Sequence, residues 1–282
     1  MAKVLITGAS KGIGYSSSLL LARAGHEVVA TMRNPAASEL HSVAAAENLP
    51  VTVMKMDVDD QLSVDGVFHE VGDSIDVLIN NAGVLSLNAV EDESLDQFRQ
   101  VMETNYFGAV RCVKRFLPAM REQGSGCIIN VSSIAGRISM CATSAYSASK
   151  FALEAFTEAL AGEVKAHGIK VALLEPGIID TPMTTSNLPQ YEENSLYPHG
   201  RRAHAFFKNP NKPQVEPDVV AEMLRHIIES DDARLRFPVG ADAHPFLGWR
   251  MALSDEDWVA MAGQSDSDYF QRVFTDTGMD LR

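Results

Sequence analysis

The chain has 282 residues, 46% apolar and 22% charged, which excludes intrinsic disorder and a fibrous fold and allows a sizeable core without disulfides or metal. Lys and Arg number 24 against 37 Asp and Glu, so the net charge of −13 repels a nucleic-acid backbone. Three cysteines without a C-x-x-C pair, no apolar run near the roughly 18 residues of a membrane span, and a Met1 start running straight into Val4-Leu5-Ile6 predict a soluble cytoplasmic protein with no membrane partner.

Residues 3–7 read as a first strand and residues 12–24 as the helix after it. Between them runs Thr7-Gly8-Ala9-Ser10-Lys11-Gly12-Ile13-Gly14. Gly8 permits the tight turn, Gly12 lets backbone amides approach a pyrophosphate, and Gly14 lets the helix pack closely on the strand. The anion then rests on free N–H groups at the positive end of the helix. The G-x-x-x-G-x-G spacing differs from the common G-x-G-x-x-G fingerprint. The same residues also fit G-x-S-x-G, which would make Ser10 a hydrolase nucleophile. Against that stand the first-strand position and the lack of a matching His and acid downstream.

The second strand, 27–31, ends in Thr31-Met32-Arg33-Asn34, where an NAD enzyme usually places an acid for the adenosine ribose. Thr31 offers no carboxylate, Arg33 can grip a phosphate bidentately, and Lys11 is near enough in the chain to help. Two cations and no acid predict NADP(H) in preference to NAD(H). Strands follow at 51–56, 76–80, 127–131 and 170–175, with helical spacing at 96–122 and 147–167. The strands are apolar nearly throughout, as strands covered on both faces are. Strand and helix in alternation predict an α/β fold: a doubly wound Rossmann-type parallel sheet of about seven strands, with helices on both faces.

Tyr146-Ser147-Ala148-Ser149-Lys150 is a Y-x-x-x-K, whose two ends share one helix face. An ammonium about 4 Å from the phenol, at an effective dielectric near 20, attracts the phenolate by roughly 4 kcal/mol and would draw its pKa toward neutrality, where a general acid/base works best. Thirteen residues before the tyrosine, Ser133 closes the fifth strand at the carboxyl end, where open α/β sheets bind ligands.

After Glu175 the pattern changes. Residues 184–218 hold five of the twelve prolines and the aromatics Tyr191, Tyr197, Phe206 and Phe207, with little periodicity. Such a stretch predicts a substrate lid for a bulky, apolar or aromatic substrate. A helix to Ser230, an edge strand at 235–239 and a capping box at Ser254 follow, and the acidic end of the chain reads as a solvated face or tail. The whole reads as one domain over 1–282, with the lid at about 184–218 and a C-terminal extension at about 241–282. His199 and His204 read as solvated loop histidines, Asp266-Ser267-Asp268 lacks the rest of a calcium loop, and no metal site is expected. Cys141 is read as an inert side chain near the pocket, and Trp249 and Trp258 as packing residues.

From residue 3 to about 183 the chain resembles the short-chain dehydrogenase/reductase family, with every motif in order. The family's T-G-x-x-x-G-x-G is Thr7–Gly14, its N-N-A-G is Asn80-Asn81-Ala82-Gly83, and its catalytic serine is Ser133. Its Y-x-x-x-K is Tyr146–Lys150, its Pro-Gly is Pro176-Gly177 with Thr181 after it, and its helix asparagine is Asn105. The stretch 146–160 with Arg33 is most similar to the branch containing hydroxysteroid and retinol dehydrogenases.

The resemblance implies hydride transfer between NADP(H) and a carbonyl or secondary alcohol. Tyr146 would be the proton donor or acceptor, and Lys150 would tune it and bind the nicotinamide ribose. Ser133 would orient the substrate carbonyl, and Asn105, through its backbone carbonyl and a helix distortion, would hold a relay water. Gly8, Ser10, Lys11, Gly12, Ile13, Gly14 and Arg33 would hold the phosphates. Asp57 and Val58 would meet the adenine. Asn81, Ala82 and Gly83 would line the adenosine ribose and sheet centre, and Pro176, Gly177, Ile179 and Thr181 the nicotinamide end. A homodimer or homotetramer through the two long helices is the implied assembly. A binding protein of the same fold that senses NADP(H) without turnover is the alternative, disfavoured by the complete tyrosine–lysine–serine set.

Overall fold

The computed structural model describes residues 1–209 and 214–280. The strands β1 (Lys3–Ile6), β2 (Glu27–Met32), β3 (Val51–Lys55), β4 (Val77–Asn80), β5 (Gly126–Val131), β6 (Ile169–Pro176) and β7 (Arg236–Val239) form one parallel sheet. Its order is β3-β2-β1-β4-β5-β6-β7. Direction reverses between β1 and β4, which opens a crevice beyond their carboxyl ends. Alternate side chains along a strand reach opposite faces. Val4 and Ile6 of β1 therefore join one buried cluster and Leu5 the other. Pro238 is tolerated because β7 is an edge strand.

The helices are α1 (Gly12–Arg23), α2 (Leu40–Ala46), α3 (Gln61–Val71), α4 (Leu95–Met102), α5 (Gly108–Gln123), α6 (Ser144–Val164), α7 (His199–Lys208), α8 (Pro217–Glu229), α9 (Ala243–Ala252), α10 (Asp255–Ala262) and α11 (Asp266–Thr277). The helix expected over 96–122 is α4 and α5 joined by a π-helical turn, Glu103–Phe107. The inserted residue of such a turn is a distortion that concentrates at functional positions. α6 begins at Ser144, three residues earlier than the spacing suggested, so Tyr146 lies in its first turn.

The segment 184–218 is not irregular throughout, because α7 crosses it and buries Arg202 and Phe206, four apart on one face. His199 and His204 are therefore helical. His199 Nε2 lies 3.1 Å from the Ala262 carbonyl, and the His204 ring meets Tyr191 edge-on at 5.2 Å. Residues 210–213 of the expected lid, and 281–282 of the expected extension, lie outside the described residues. The acidic end is a solvated face and not a tail: most of its acids are exposed on α10 and α11. Ser254 and Ser265 cap α10 and α11, accepting from the backbone N–H of Asp257 at 3.0 Å and of Asp268 at 3.2 Å. The apolar faces behind those caps bury Trp249, Met261, Val273 and Met279 with Ile138 and Phe206 in a third cluster. Acid belongs in the first turn of a helix, where the dipole favours it. Among the described residues no helix is long and apolar enough to cross a membrane.

Candidate active site

The crevice beyond β1 and β4 has a volume of about 480 Å³. Its floor is the glycine turn, and three close approaches explain the glycines. A side-chain carbon on Gly8 would stand 2.8 Å from the Ala82 backbone, at a φ of +69° that L residues rarely adopt. One on Gly14 would stand 2.6 Å from the Asn81 carboxamide, and one on Gly12 would stand 3.1 Å from Thr181. Asn81 braces the turn by donating to the Thr7 and Gly8 carbonyls at 2.9 and 3.2 Å. The Thr7 hydroxyl accepts from the Asn81 and Ala82 amides at 2.9 and 3.0 Å. Asn80 is turned away from the crevice and donates instead to Asn130 at 2.8 Å inside the sheet.

Gly8, Ser10, Lys11, Gly12, Ile13, Arg33, Asp57, Val58, Asn81, Ala82 and Gly83 all line the crevice, as do Pro176, Gly177, Ile179 and Thr181 at its far end. Gly14 lies beneath it. Thr31 is buried and donates to the Ile6 carbonyl at 3.0 Å, so the lip beyond β2 presents Met32, Arg33 and Asn34. Ser10 shares this crevice, and no histidine lines it among the described residues, which leaves a serine nucleophile there without a base. A concave site with a glycine-permitted backbone approach, a helix N-terminus and flanking cations suits a pyrophosphate dinucleotide.

At the inner end, Tyr146, Lys150 and Ser133 meet on the same wall. The Lys150 ammonium donates to the Val131 carbonyl at 2.9 Å and stands 5.7 Å from the centre of the Tyr146 ring. Burial lowers the Lys150 pKa to about 8, opposed by Glu154 one helical turn on. Burial also pushes the Tyr146 phenol up from its ordinary value, opposed by the neighbouring Ser133 hydroxyl. In the protein alone desolvation is the larger influence, so the phenol lies above its ordinary value and not below it. Ser133 accepts from the Ala135 amide at 3.1 Å, which opens the short 3₁₀ turn Ile134–Gly136. Asn105 does not line the crevice. Its side chain donates to the Val84 carbonyl and Ser149 hydroxyl, each at 2.9 Å, and accepts from the Val84 amide at 2.8 Å. That clamp ties the π-helical turn to α6.

Beside Ser133 and Tyr146 is a chamber of about 90 Å³ walled by Met183, Phe206 and Phe207. It shares Met140, Phe206 and Phe207 with an outer chamber of about 830 Å³, where Tyr197, Cys141 and Trp258 also stand. Tyr191 lines neither. Burial pushes the Cys141 thiol up from its ordinary value, which keeps it un-ionised. Sequence reasoning missed the groups behind this wall. Glu175 is fully buried and raised to about 7, by burial first and then by Glu154. Arg236 and Arg137 approach it. A glutamate inside an otherwise apolar strand was the available signal. Asp242, which accepts from the Ile178 amide at 2.7 Å and braces the turn after Pro176-Gly177, carried no such signal.

The family model described as short chain dehydrogenase matches residues 2–192. The chain is 34% identical over 247 residues to the uncharacterized oxidoreductase YusZ of Bacillus subtilis (strain 168), covering 84% of this chain and 88% of that protein. It is 39% identical over 192 residues to retinol dehydrogenase 8 of Homo sapiens, covering 66% of this chain and 62% of that protein. The crystal structure of a short-chain dehydrogenase from Streptomyces avermitilis superposes with a TM-score of 0.80 at 34% identity, covering 89% of this chain and 92% of that one.

Proposed function

From a chain that belongs to the short-chain dehydrogenase/reductase family and is therefore an oxidoreductase binding a nicotinamide cofactor, we infer an NADP(H)-dependent carbonyl reductase for bulky apolar or aromatic substrates. The single observation that carries this is the meeting of Tyr146, Lys150 and Ser133 where the dinucleotide crevice joins an aromatic-walled chamber. When bound, NADPH supplies the hydride. The protein's part is position and proton. Ser133 directs its hydroxyl at the substrate carbonyl oxygen, and Tyr146 gives that oxygen a proton as the carbon gains the hydride, which leaves an alcohol. Because burial keeps the phenol protonated, it is a donor at neutral pH, which favours the reductive direction. Lys150, held by the Val131 carbonyl, returns a proton toward Tyr146, and Asn105 steadies the bend from which a relay water would be held.

The NADP preference rests on Lys11 and Arg33 at the lip of the crevice, neither with an ion-pair partner among the described residues. The substrate class rests on Phe206, Phe207 and Trp258 around the chambers. The reading also takes the chain as one domain with a lid over 184–218 and an extension over 241–282. It assembles as a homodimer or homotetramer through α4, α5, the π-helical turn between them and α6, which leave Leu95, Phe107 and Phe151 exposed. Its three free cysteines suit the reducing cytoplasm. The test is to follow NADPH absorbance against a panel of ketones, quinones and steroids. Ketone-dependent oxidation of NADPH supports the reading. Tight nucleotide binding with no turnover on any of them would instead favour a nucleotide-sensing protein.

A further inference from the structure

Lys150 and Glu154 are one turn apart on α6 and both buried, at 4% and 5% exposure. Behind Glu154 the charges are unevenly matched. Arg236, on β7, donates from its single Nε–H to Glu154 Oε2 at 2.9 Å and stands 3.4 Å from Glu175 Oε1 on β6. Its Nη2 is taken by Glu158, also on α6, at 2.7 Å. Arg137, after the 3₁₀ turn, reaches Glu175 Oε1 at 3.4 Å with its side chain partly in solvent. Three carboxylates thus share one guanidinium and the edge of a second. Glu154 Oε1, Glu175 Oε2 and the neighbouring Ser132 hydroxyl have no hydrogen-bond partner among the described residues. Glu154 Oε1 and Ser132 Oγ lie 3.2 and 2.7 Å from the point where a side chain on Gly136 would begin, so these two orphaned atoms face one buried spot.

Two buried carboxylates that share Arg236, each with one oxygen unpartnered, do not both stay charged, and the nearer Arg236 contact and the Lys150 ammonium on the same helix face both favour charge on Glu154. We propose that Glu154 is a positioning residue for the reaction: its carboxylate, clamped by Arg236, keeps the Lys150 ammonium charged, and Glu175 behind it holds a proton so that the pocket bears one negative charge. Glu154 touches neither substrate nor nucleotide and acts through Lys150. The relevance to turnover rests on the oxidoreductase reading, but the electrostatic claim does not. The raised pKa of Glu175 and the opposing influence of Glu154 on Lys150 run in the same direction.

The experiment titrates the Lys150 side-chain NMR resonance, assigned with Lys150→Met, in isotope-labelled protein without added ligand. Glu154→Gln should move its midpoint down by about half a pH unit or more, and Glu154→Asp should restore part of the shift. Glu175→Gln, which mimics the protonated acid, should leave the midpoint in place. It should also remove a protonated-carboxyl infrared band that wild type shows above the ordinary carboxylate range, between pH values of about 4.5 and 7. The alkaline limb of NADPH-dependent ketone reduction should follow the same order. An unmoved midpoint in Glu154→Gln, or an equal shift in Glu175→Gln, overturns the proposal. Absence of ketone-dependent NADPH oxidation by the wild-type protein would overturn the enzymatic reading and leave the titration result standing.

Discussion

Lys150 lies 5.7 Å from the centre of the Tyr146 ring and donates a hydrogen bond to the Val131 carbonyl, which anchors the lysine to the end of β5. The lysine therefore owes its position to the sheet as much as to helical spacing, and the phenol faces it in a dry wall. Four consequences can be measured.

Tyr146→Phe removes the one hydroxyl placed to protonate a carbonyl beside Ser133. Losing a positioned general acid typically costs 10²–10⁴-fold, so kcat should fall by about three orders of magnitude. NADPH affinity should stay within about threefold, since the ring and its packing are retained. Absorbance kinetics and a fluorescence titration read the two separately, and near wild-type turnover would remove Tyr146 from its role.

Arg33→Asp replaces an exposed guanidinium at the crevice lip with a carboxylate. Losing a charge-assisted contact of about 1.5–3 kcal/mol should lower kcat/KM for NADPH by roughly 10- to 100-fold. Efficiency with NADH should rise or hold, because the new acid can accept from ribose hydroxyls. A wild-type enzyme equally efficient with both nucleotides would defeat the phosphate assignment.

Gly8→Val places a β-branched residue at a φ of +69° and drives its side chain into Ala82. Backbone strain alone costs about 1–3 kcal/mol, which denaturant unfolding should register. The turn must shift to relieve the overlap, so NADPH binding should weaken by more than about tenfold, measured by calorimetry. A variant that binds as tightly as wild type would show that the turn does not hold the nucleotide.

Stability should depend on pH through Glu175, whose pKa rises from an ordinary 4.5 to about 7 on burial. The folded state then holds more protons than the unfolded chain between those two values, so stability falls as pH rises from about 4.5 to 7 and levels off above. Lys150 has the opposite slope. Its folded pKa of about 8 lies below the unfolded 10.5, so stability is regained between those values as the buried ammonium discharges. Glu175→Gln should flatten the lower window and leave the upper one. Unfolding midpoints measured across pH decide this, and an unchanged lower slope would place the titration elsewhere.

Much of the molecule was legible because local chemistry dictates it. The apolar runs specified buried parallel strands, and the expected seventh strand is β7. The glycine turn is local too, since Gly8 in the short loop after β1 and Gly12 at the first position of α1 both adopt positive φ. In the C-terminal region the cap at Ser254 and the solvated acids were legible, and the packing behind them was not. These acids are helix-start residues whose value depends on capping serines and on an apolar face that only packing reveals. α7 escaped notice because prolines around it resemble a broken segment, although Arg202 and Phe206 keep helical spacing.

From residue order alone came the sheet, the dinucleotide turn and the identities of Tyr146, Lys150 and Ser133, because each depends on neighbours within a few positions. Only the tertiary structure decided their charge states. Desolvation depends on everything that surrounds a group: Arg236 reaches Glu154 from β7, and Arg236 and Arg137, the latter from the turn after β5, reach Glu175 on β6. Helical spacing could specify that an ammonium and a phenol share a face; how much water they lose there is set by chain segments many residues away.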